Sequence, residues 1–273
     1  MRFASFASGS SGNCSVLSAG QTHLMLDAGI SNKRIEAGLA EAGLAFSNIG
    51  GICVTHEHID HIAGLRVFLK KHPTPVYATE GTLKGIEARF RGEIDTSLFR
   101  VIDIDRAFEV GGLTVTPFAV EHDAADPCSY RVTDGQSAFA IATDMGNYSG
   151  YTVRNLSGLD FLVLEANHDV RMLETGPYPY PLKRRIMSDL GHLSNETAGD
   201  LLAEVLNEKM DRVLLCHLSK ENNYPALARE AVRLEAAEQT EPEAVAGLDI
   251  ESAPREGMSP FYYFLCNIVS VSI

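Results

Sequence analysis

The chain has no CxxC pair, its five cysteines are odd in number, and its start shows no basic stretch leading into an apolar one. A disulfide framework and a secretory leader are therefore not expected, and the composition reads as that of a cytoplasmic protein. Basic side chains are scarce as well: 23 Lys and Arg stand against 36 Asp and Glu, a formal charge of −13. A field of that sign repels a polyanion at long range, so any nucleic acid must be gripped by local positive charge. No apolar run is long enough to span a bilayer. The C-terminal run, 261–273, is interrupted by Asn267, Ser270 and Ser272 and reads as a closing strand. Oligomeric state is not legible.

What the chain does have is an adequate core composition, 45% hydrophobic over 273 residues, and one dense group of ligating side chains. His56, His58, Asp60 and His61 follow directly on the apolar run 51–54. Neutral imidazole is a good ligand for Zn, Mn or Fe, and a carboxylate adds charge that holds a second cation near the first. Where a chain leaves a strand extended, residues i and i+2 project to one side, so His56 and His58 can grip one ion while Asp60 and His61 face a neighbour. A histidine-rich surface loop is the plain alternative, and it would account for a lone HxH better than for HxHxDH after a buried strand.

HxHxDH resembles the signature of the metallo-β-lactamase superfamily. That family also has an aspartate at an early strand end, then a lone histidine, an aspartate and a final histidine. Asp27 after 24–26, His122 after 113–120, Asp144 after 138–143 and His217 after 213–216 match in order and context. The resemblance implies that His56, His58 and His122 hold one metal and that Asp60, His61 and His217 hold a second. Asp144 would bridge them, and Asp27 would orient the ligands by hydrogen bonding. Two such ions, about 3.5–4 Å apart, would activate a bridging water as nucleophile and neutralise an oxyanion. The fold implied is α/β, a four-layer αββα sandwich, expected as a single domain over 1–273.

Periodicity gives strands at 2–6, 15–18, 23–27, 51–55, 76–78 and 113–120, with helices at 31–42, 62–72 and 79–90. A similar second half has strands at 128–133, 138–143, 160–166 and 212–217 and helices near 195–208 and 224–238, the first capped by Ser194 or Asn195. The acidic, proline-containing segment 238–257 reads as a surface excursion before the last strand.

Three further patterns narrow the resemblance. Residues 7–13, ASGSSGN, read either as a flexible turn or as a phosphate contact through backbone N–H groups, Ser10, Ser11 and the Asn13 amide. The strand-end Glu165 with downstream His192 is similar to the ribonuclease Z and phosphodiesterase branches, which implies that Glu165 steers His192 and His192 protonates the leaving oxygen. In the same stretch His168 reads as a surface residue. Residues 217–223, HLSKENN, with Asn222 as a substrate contact or a helix cap, resemble the YycJ or WalJ-like exonuclease branch. That branch implies a DNA substrate cut from 5′ to 3′, with Asp60 in the catalytic group. Lys183, Arg184 and Arg185 form the densest basic cluster and are expected to touch nucleic acid. The preceding 174–181, rich in proline and tyrosine, is expected to be a mobile stacking arm.

Alternatives are a small-molecule phosphodiesterase, a glyoxalase II-like thioester hydrolase with the same ligands, and a non-catalytic metal-binding module. A β-lactamase is disfavoured by Asp144, where a cysteine is expected, and a flavodiiron-type reading by His58, where that branch has glutamate. The stretch between Asp144 and His217 is too short for a β-CASP insertion.

Overall fold

The computed structural model describes residues 1–264. The first six strands are β1 (Arg2–Ala7), β2 (Cys14–Ala19), β3 (Thr22–Leu26), β4 (Ile49–Cys53), β5 (Val76–Ala78) and β6 (Phe99–Val101). The next seven are β7 (Phe108–Val110), β8 (Leu113–Ala119), β9 (Cys128–Thr133), β10 (Ala138–Ala142), β11 (Phe161–Glu165), β12 (Arg212–Cys216) and β13 (Asp249–Ser252), and β14 is Tyr262–Tyr263. They form two sheets, ordered β14-β1-β2-β3-β4-β5-β6 and β13-β12-β11-β10-β9-β8-β7.

The helices are α1 (Asn32–Glu41), α2 (Ile59–Ile62), α3 (Leu65–Lys71), α4 (Glu80–Phe90), α5 (Gly150–Leu156), α6 (Val170–Thr175), α7 (Tyr180–Ile186), α8 (Asn195–Val205), α9 (Pro225–Gln239) and α10 (Pro242–Ala246). Ile35, Leu39 and Phe68 of α1 and α3 pack on Met25 and Ile52 of the first sheet. Leu201 and Val232 of α8 and α9 pack on Leu162 and Val213 of the second. Between the sheets, Phe3, Leu24 and Leu26 meet Tyr130, Phe139 and Phe161. These three apolar layers define the αββα sandwich.

Strands buried on both faces need near-continuous apolar runs, and the parallel strands β10, β11 and β12 supply them. Two antiparallel steps, β8 to β9 and β9 to β10, return β8 to the direction of β10. Hence β8, β10, β11 and β12 all end at one rim. β3 and β4 are likewise parallel to each other.

Several expectations are corrected. The single helix over 62–72 is two helices, because the Gly64 N–H donates to the Ala28 carbonyl at 2.8 Å, and a Cβ at Gly64 would sit 2.0 Å from the Ile30 oxygen. Tertiary pairing outcompetes the helix there. The segment 238–257 is not a surface excursion: it completes α9, forms α10, and contributes β13 beside β12, with Val245, Leu248 and Ile250 buried in the core. The closing strand is β14, paired with β1, and residues 265–273, Cys266 included, lie outside the described residues. Strands β6 and β7 and helices α5, α6 and α7 are additional. Ser194, rather than Asn195, caps α8 by accepting the Thr197 N–H.

Phe161 lies at the centre of the inter-sheet layer, with its ring 5.7 Å from Phe3 and 5.8 Å from Phe139. Phe161→Ala should lower stability by about 3–5 kcal/mol through lost burial and a residual cavity, read as a reduced urea midpoint at unchanged slope. A loss below about 1 kcal/mol would contradict this account of the layer.

Candidate metal centre

Most of the histidines and acids of interest sit at a strand end or on the loop or short helix that follows it, while His192 lies between α7 and α8. Asp27 follows β3, His56 to His61 follow β4, His122 follows β8, Asp144 follows β10, Glu165 ends β11 and His217 follows β12. Three of them, Asp27 (φ 60°), Asp144 (φ 57°) and His217 (φ 54°), hold the left-handed backbone conformation, which costs a non-glycine residue about 1–3 kcal/mol. That turn swings each side chain off the strand axis toward the common rim.

Buried hydrogen bonds then set each ring. The Asp27 carboxylate accepts the Thr55 N–H at 2.8 Å and the Thr55 hydroxyl at 3.1 Å, while its second oxygen accepts from His61 Nδ1 at 2.8 Å. The Thr55 oxygen lies 3.0 Å from His56 Nδ1. His122 Nδ1 faces the Gly191 carbonyl at 3.1 Å, and His217 Nδ1 faces Glu165 Oε1 at 2.9 Å. Four imidazoles thus turn Nδ1 to the protein, which leaves Nε2 facing the cluster and, in the neutral ring, with its lone pair. His56 Nε2 and His217 Nε2 are buried with no hydrogen-bond partner. His122 Nε2 stands 3.3 Å from His58 Nδ1, two ring nitrogens facing one another.

Donor atoms converge in overlapping groups: His56, His58 and His122; Asp60, His61 and His217; His56, His61 and Asp144; and Asp144, Glu165, His192 and His217. Asp144 is common ground, 3.4 Å from His61 Nε2, 3.8 Å from His122 Nε2 and 3.7 Å from His217 Nδ1. Imidazole nitrogens without partners, mixed with carboxylates, suit a divalent cation, and the donor set fits one.

Charges in the cluster are strongly coupled. Burial works to lower the His61 imidazole, but the Asp27, Asp144 and Asp60 carboxylates together raise it to about 9. His217 is raised well above the usual range despite burial, by Asp144, Asp60 and Glu165. His56 is held well below it by burial and by the neighbouring imidazoles, His61 first. Burial works to raise Asp60 and Glu165, yet the facing imidazoles hold both carboxyls well below the carboxylate range.

Glu165 does more than hold His192. Its Oε1 accepts from His192 Nδ1 at 2.8 Å as well as from His217, and its Oε2 accepts the Met145 N–H at 2.9 Å. The sequence reading missed Thr55, which joins Asp27 to His56, and Asn167, whose amide donates to the His217 carbonyl at 2.8 Å. Each is adjacent in sequence to a residue already singled out, and no stronger signal marks them.

Expected substrate contacts fare unevenly. Asn222 is fully buried: its amide and backbone N–H both donate to Ser219, and the turn at Gly176 packs on it, so the expected contact is corrected. Asn13 also turns inward, its oxygen accepting the Gly9 N–H at 2.8 Å and its amide lying 3.0 Å from His61 Nε2. Ser10 and Ser11 are exposed. Residues 174–181 span the end of α6 and the start of α7, and the Lys183 ammonium donates to the Glu174 carbonyl at 2.7 Å. Arg184 is exposed, while Arg185 pairs with Asp123, itself 3.5 Å from His122 Nε2. His168 is buried rather than on the surface. A cleft of about 450 Å³ opens beside the cluster, lined by Glu57, His58, Asp60, Arg89 and Arg185 among others.

Residues 22–218 match the family described as Beta-lactamase superfamily domain. The chain is 39% identical over 232 residues to "Exodeoxyribonuclease YycJ" of Bacillus anthracis, covering 85% of this chain and 88% of that protein. It is 37% identical to "Exodeoxyribonuclease WalJ" of Streptococcus pneumoniae serotype 2 (strain D39 / NCTC 7466), covering 83% and 85%. The metallo-beta-lactamase fold protein YhfI of Bacillus subtilis shares the fold, with a TM-score of 0.67 at 16% identity over 94% of this chain and 98% of that one. So does a diphosphatase from the PhnP family, at TM-score 0.64 and 19% identity over 96% and 98%.

If His61 and His217 take a metal, it has to displace their protons, and affinity should fall as pH drops below about 9, by roughly tenfold per unit for each proton displaced. Calorimetric titration with Zn²⁺ or Mn²⁺ in buffers of different ionisation enthalpy should register proton release at neutral pH. Affinity unchanged between about pH 6 and 9 would contradict the assignment.

Proposed function

The chain belongs to the β-lactamase superfamily and is a metal-dependent hydrolase, and we propose that it cuts DNA phosphodiester bonds from a strand end, 5′ to 3′, at a dinuclear centre. The observation that carries this reading is the pair of three-donor groups, His56, His58, His122 and Asp60, His61, His217, flanking Asp144. The first group would hold one divalent ion and the second another, with Asp144 between them and Asp27 orienting His61. Zn, Mn and Fe all suit such donors. When bound, two such cations activate water and stabilise the negative charge that develops on a phosphoryl group. The relatives named exodeoxyribonucleases support DNA as the substrate. One domain carries the whole activity, since both sheets contribute to one inter-sheet core and to one rim.

The chain's own groups do the rest. His192, held by Glu165 through Nδ1, directs its other nitrogen away from that carboxylate and delivers a proton to the departing oxygen. Glu165 remains ionised, so it stabilises the imidazolium before the transfer. Asp60 keeps its carboxylate charged, serving as ligand and orienting the attacking water. The cleft with Arg89 and Arg185 offers the local positive charge that a chain of −13 needs to hold a polyanion. Arg185 is fixed by Asp123, which leaves Arg89 on α4 as the more adaptable phosphate contact.

Digestion of 5′-labelled and 3′-labelled DNA by the Mn²⁺- or Zn²⁺-loaded protein tests the reading: stepwise loss from the 5′ end is expected. His56→Ala and Asp144→Ala should abolish it and lower metal content. His192→Ala should retain metal and slow turnover by roughly 10²- to 10⁴-fold. Equal metal loss in His192→Ala would make it a ligand, and no cleavage by the loaded protein would overturn the DNA assignment.

Arg89→Glu should raise KM for a long strand several-fold more than KM for a small chromogenic diester. Equal changes on both substrates would remove the cleft as the strand's path.

A further inference from the structure

Just past His217 the chain builds a second, separate pocket that the metal centre does not use. It has a volume of about 260 Å³, and its walls include Ser8, Ser219, Lys220, Asn223, Tyr224 and Arg255. Two cations line it and no carboxylate does, in a chain where acids outnumber bases 36 to 23. The cleft beside His58 differs, since Glu57 and Asp60 share its wall with the arginines.

The pocket is a built one. The Arg255 guanidinium donates to the Leu218 carbonyl, and Gly9, at φ +136°, lets the 8–13 loop close on that guanidinium, where a Cβ would lie 2.9 Å from Arg255 Nη1. The Ser8 hydroxyl accepts the His217 N–H at 2.8 Å, which ties this wall to the metal rim. Asn223 is fixed by Asn195 and the Ala166 carbonyl. Helix α9, fifteen residues long, begins here with Tyr224 as its N-cap residue, no side chain caps it, and Pro225 follows. Its positive end adds to the two cations. Tyr224 presents an aromatic ring that is 52% exposed at the pocket mouth.

A held guanidinium, an exposed ammonium, a positive helix end and an open aromatic ring together suit a phosphomonoester attached to a base. We infer that this pocket receives the 5′-terminal phosphate of the strand being cut, with the terminal base stacked on Tyr224. The inference rests on the reading of the chain as a DNA exonuclease and deepens it. Water attacks the first internucleotide phosphorus, the bond from phosphorus to the 3′ oxygen breaks, and that oxygen takes a proton. The departing nucleotide keeps its own 5′-phosphate, and the remaining strand acquires a new one. Each cut therefore creates the group that the pocket holds for the next.

The test compares one single-stranded oligonucleotide carrying either a 5′-phosphate or a 5′-hydroxyl, digested by the metal-loaded protein. The hydroxyl strand should show a lag, with a first cut roughly tenfold slower or more, and then proceed at the common rate. Lys220→Glu should bring the ratio of first-cut rates near one, and Tyr224→Ala should raise KM for the strand while keeping the preference for phosphate. Both side chains are exposed, so neither change threatens the fold. Equal first-cut rates in the unmodified protein, or a ratio unmoved by Lys220→Glu, would overturn the pocket while leaving the exonuclease reading intact. If no strand is cut at all, that reading fails and binding decides the pocket. Deoxyadenosine 5′-monophosphate should then bind at least tenfold more tightly than deoxyadenosine, with the difference lost in Lys220→Glu, and equal binding would overturn the inference.

Discussion

The structure turns on compensating buried negative charge. Asp27, Asp144 and Glu165 are all withdrawn from water, and an unpaired carboxylate in that setting is expensive. Each is met by imidazole or by N–H donors: Asp27 by His61 and Thr55, Glu165 by His192, His217 and the Met145 N–H, Asp144 by His61, His122 and His217. The same pairing favours the charged form of His61 and His217, as a cation in the same place would favour the carboxylates. Fold stability and metal affinity therefore draw on the same few contacts.

The pairs are assembled by two sheets packed on a common core. The first sheet supplies Asp27 and the HxHxDH loop, and the second supplies His122, Asp144, Glu165 and His217. The close approach of Gly29 to the Asp60 carbonyl, where a Cβ would lie only 1.6 Å away, seats the loop against the segment that follows β3. Backbone strain at Asp27, Asp144 and His217 is tolerated because hydrogen bonds on both sides over-determine those positions.

Much of this was legible because buried parallel strands and ligand histidines leave dense local signals. The runs before Asp144, Glu165 and His217 are apolar enough to name their strands, and HxHxDH names its own chemistry. Short edge strands such as β6 and β7 carry too few residues for a periodicity, and β13 lay hidden in an acidic stretch whose buried residues, Val245, Leu248 and Ile250, are spaced among charges. The break at Gly64 depends on Ala28 and Ile30, which no local pattern links to it. Asn222 is misread as a substrate contact for a related reason: a polar side chain in a motif reads alike whether it faces solvent or satisfies its neighbours. The Tyr224 and Arg255 pocket joins a helix start to a loop thirty residues on and could not be seen in one dimension.

The division of donors between two sheets has a consequence for how such a protein tolerates drift. The two halves of the donor set stand on strands that sandwich the Phe3, Phe139 and Phe161 layer. A volume change in that layer therefore bears on the stability of the fold and on the spacing of the donors together. Selection on which metal is used would thus leave its traces in the hydrophobic interior, at positions that never touch an ion.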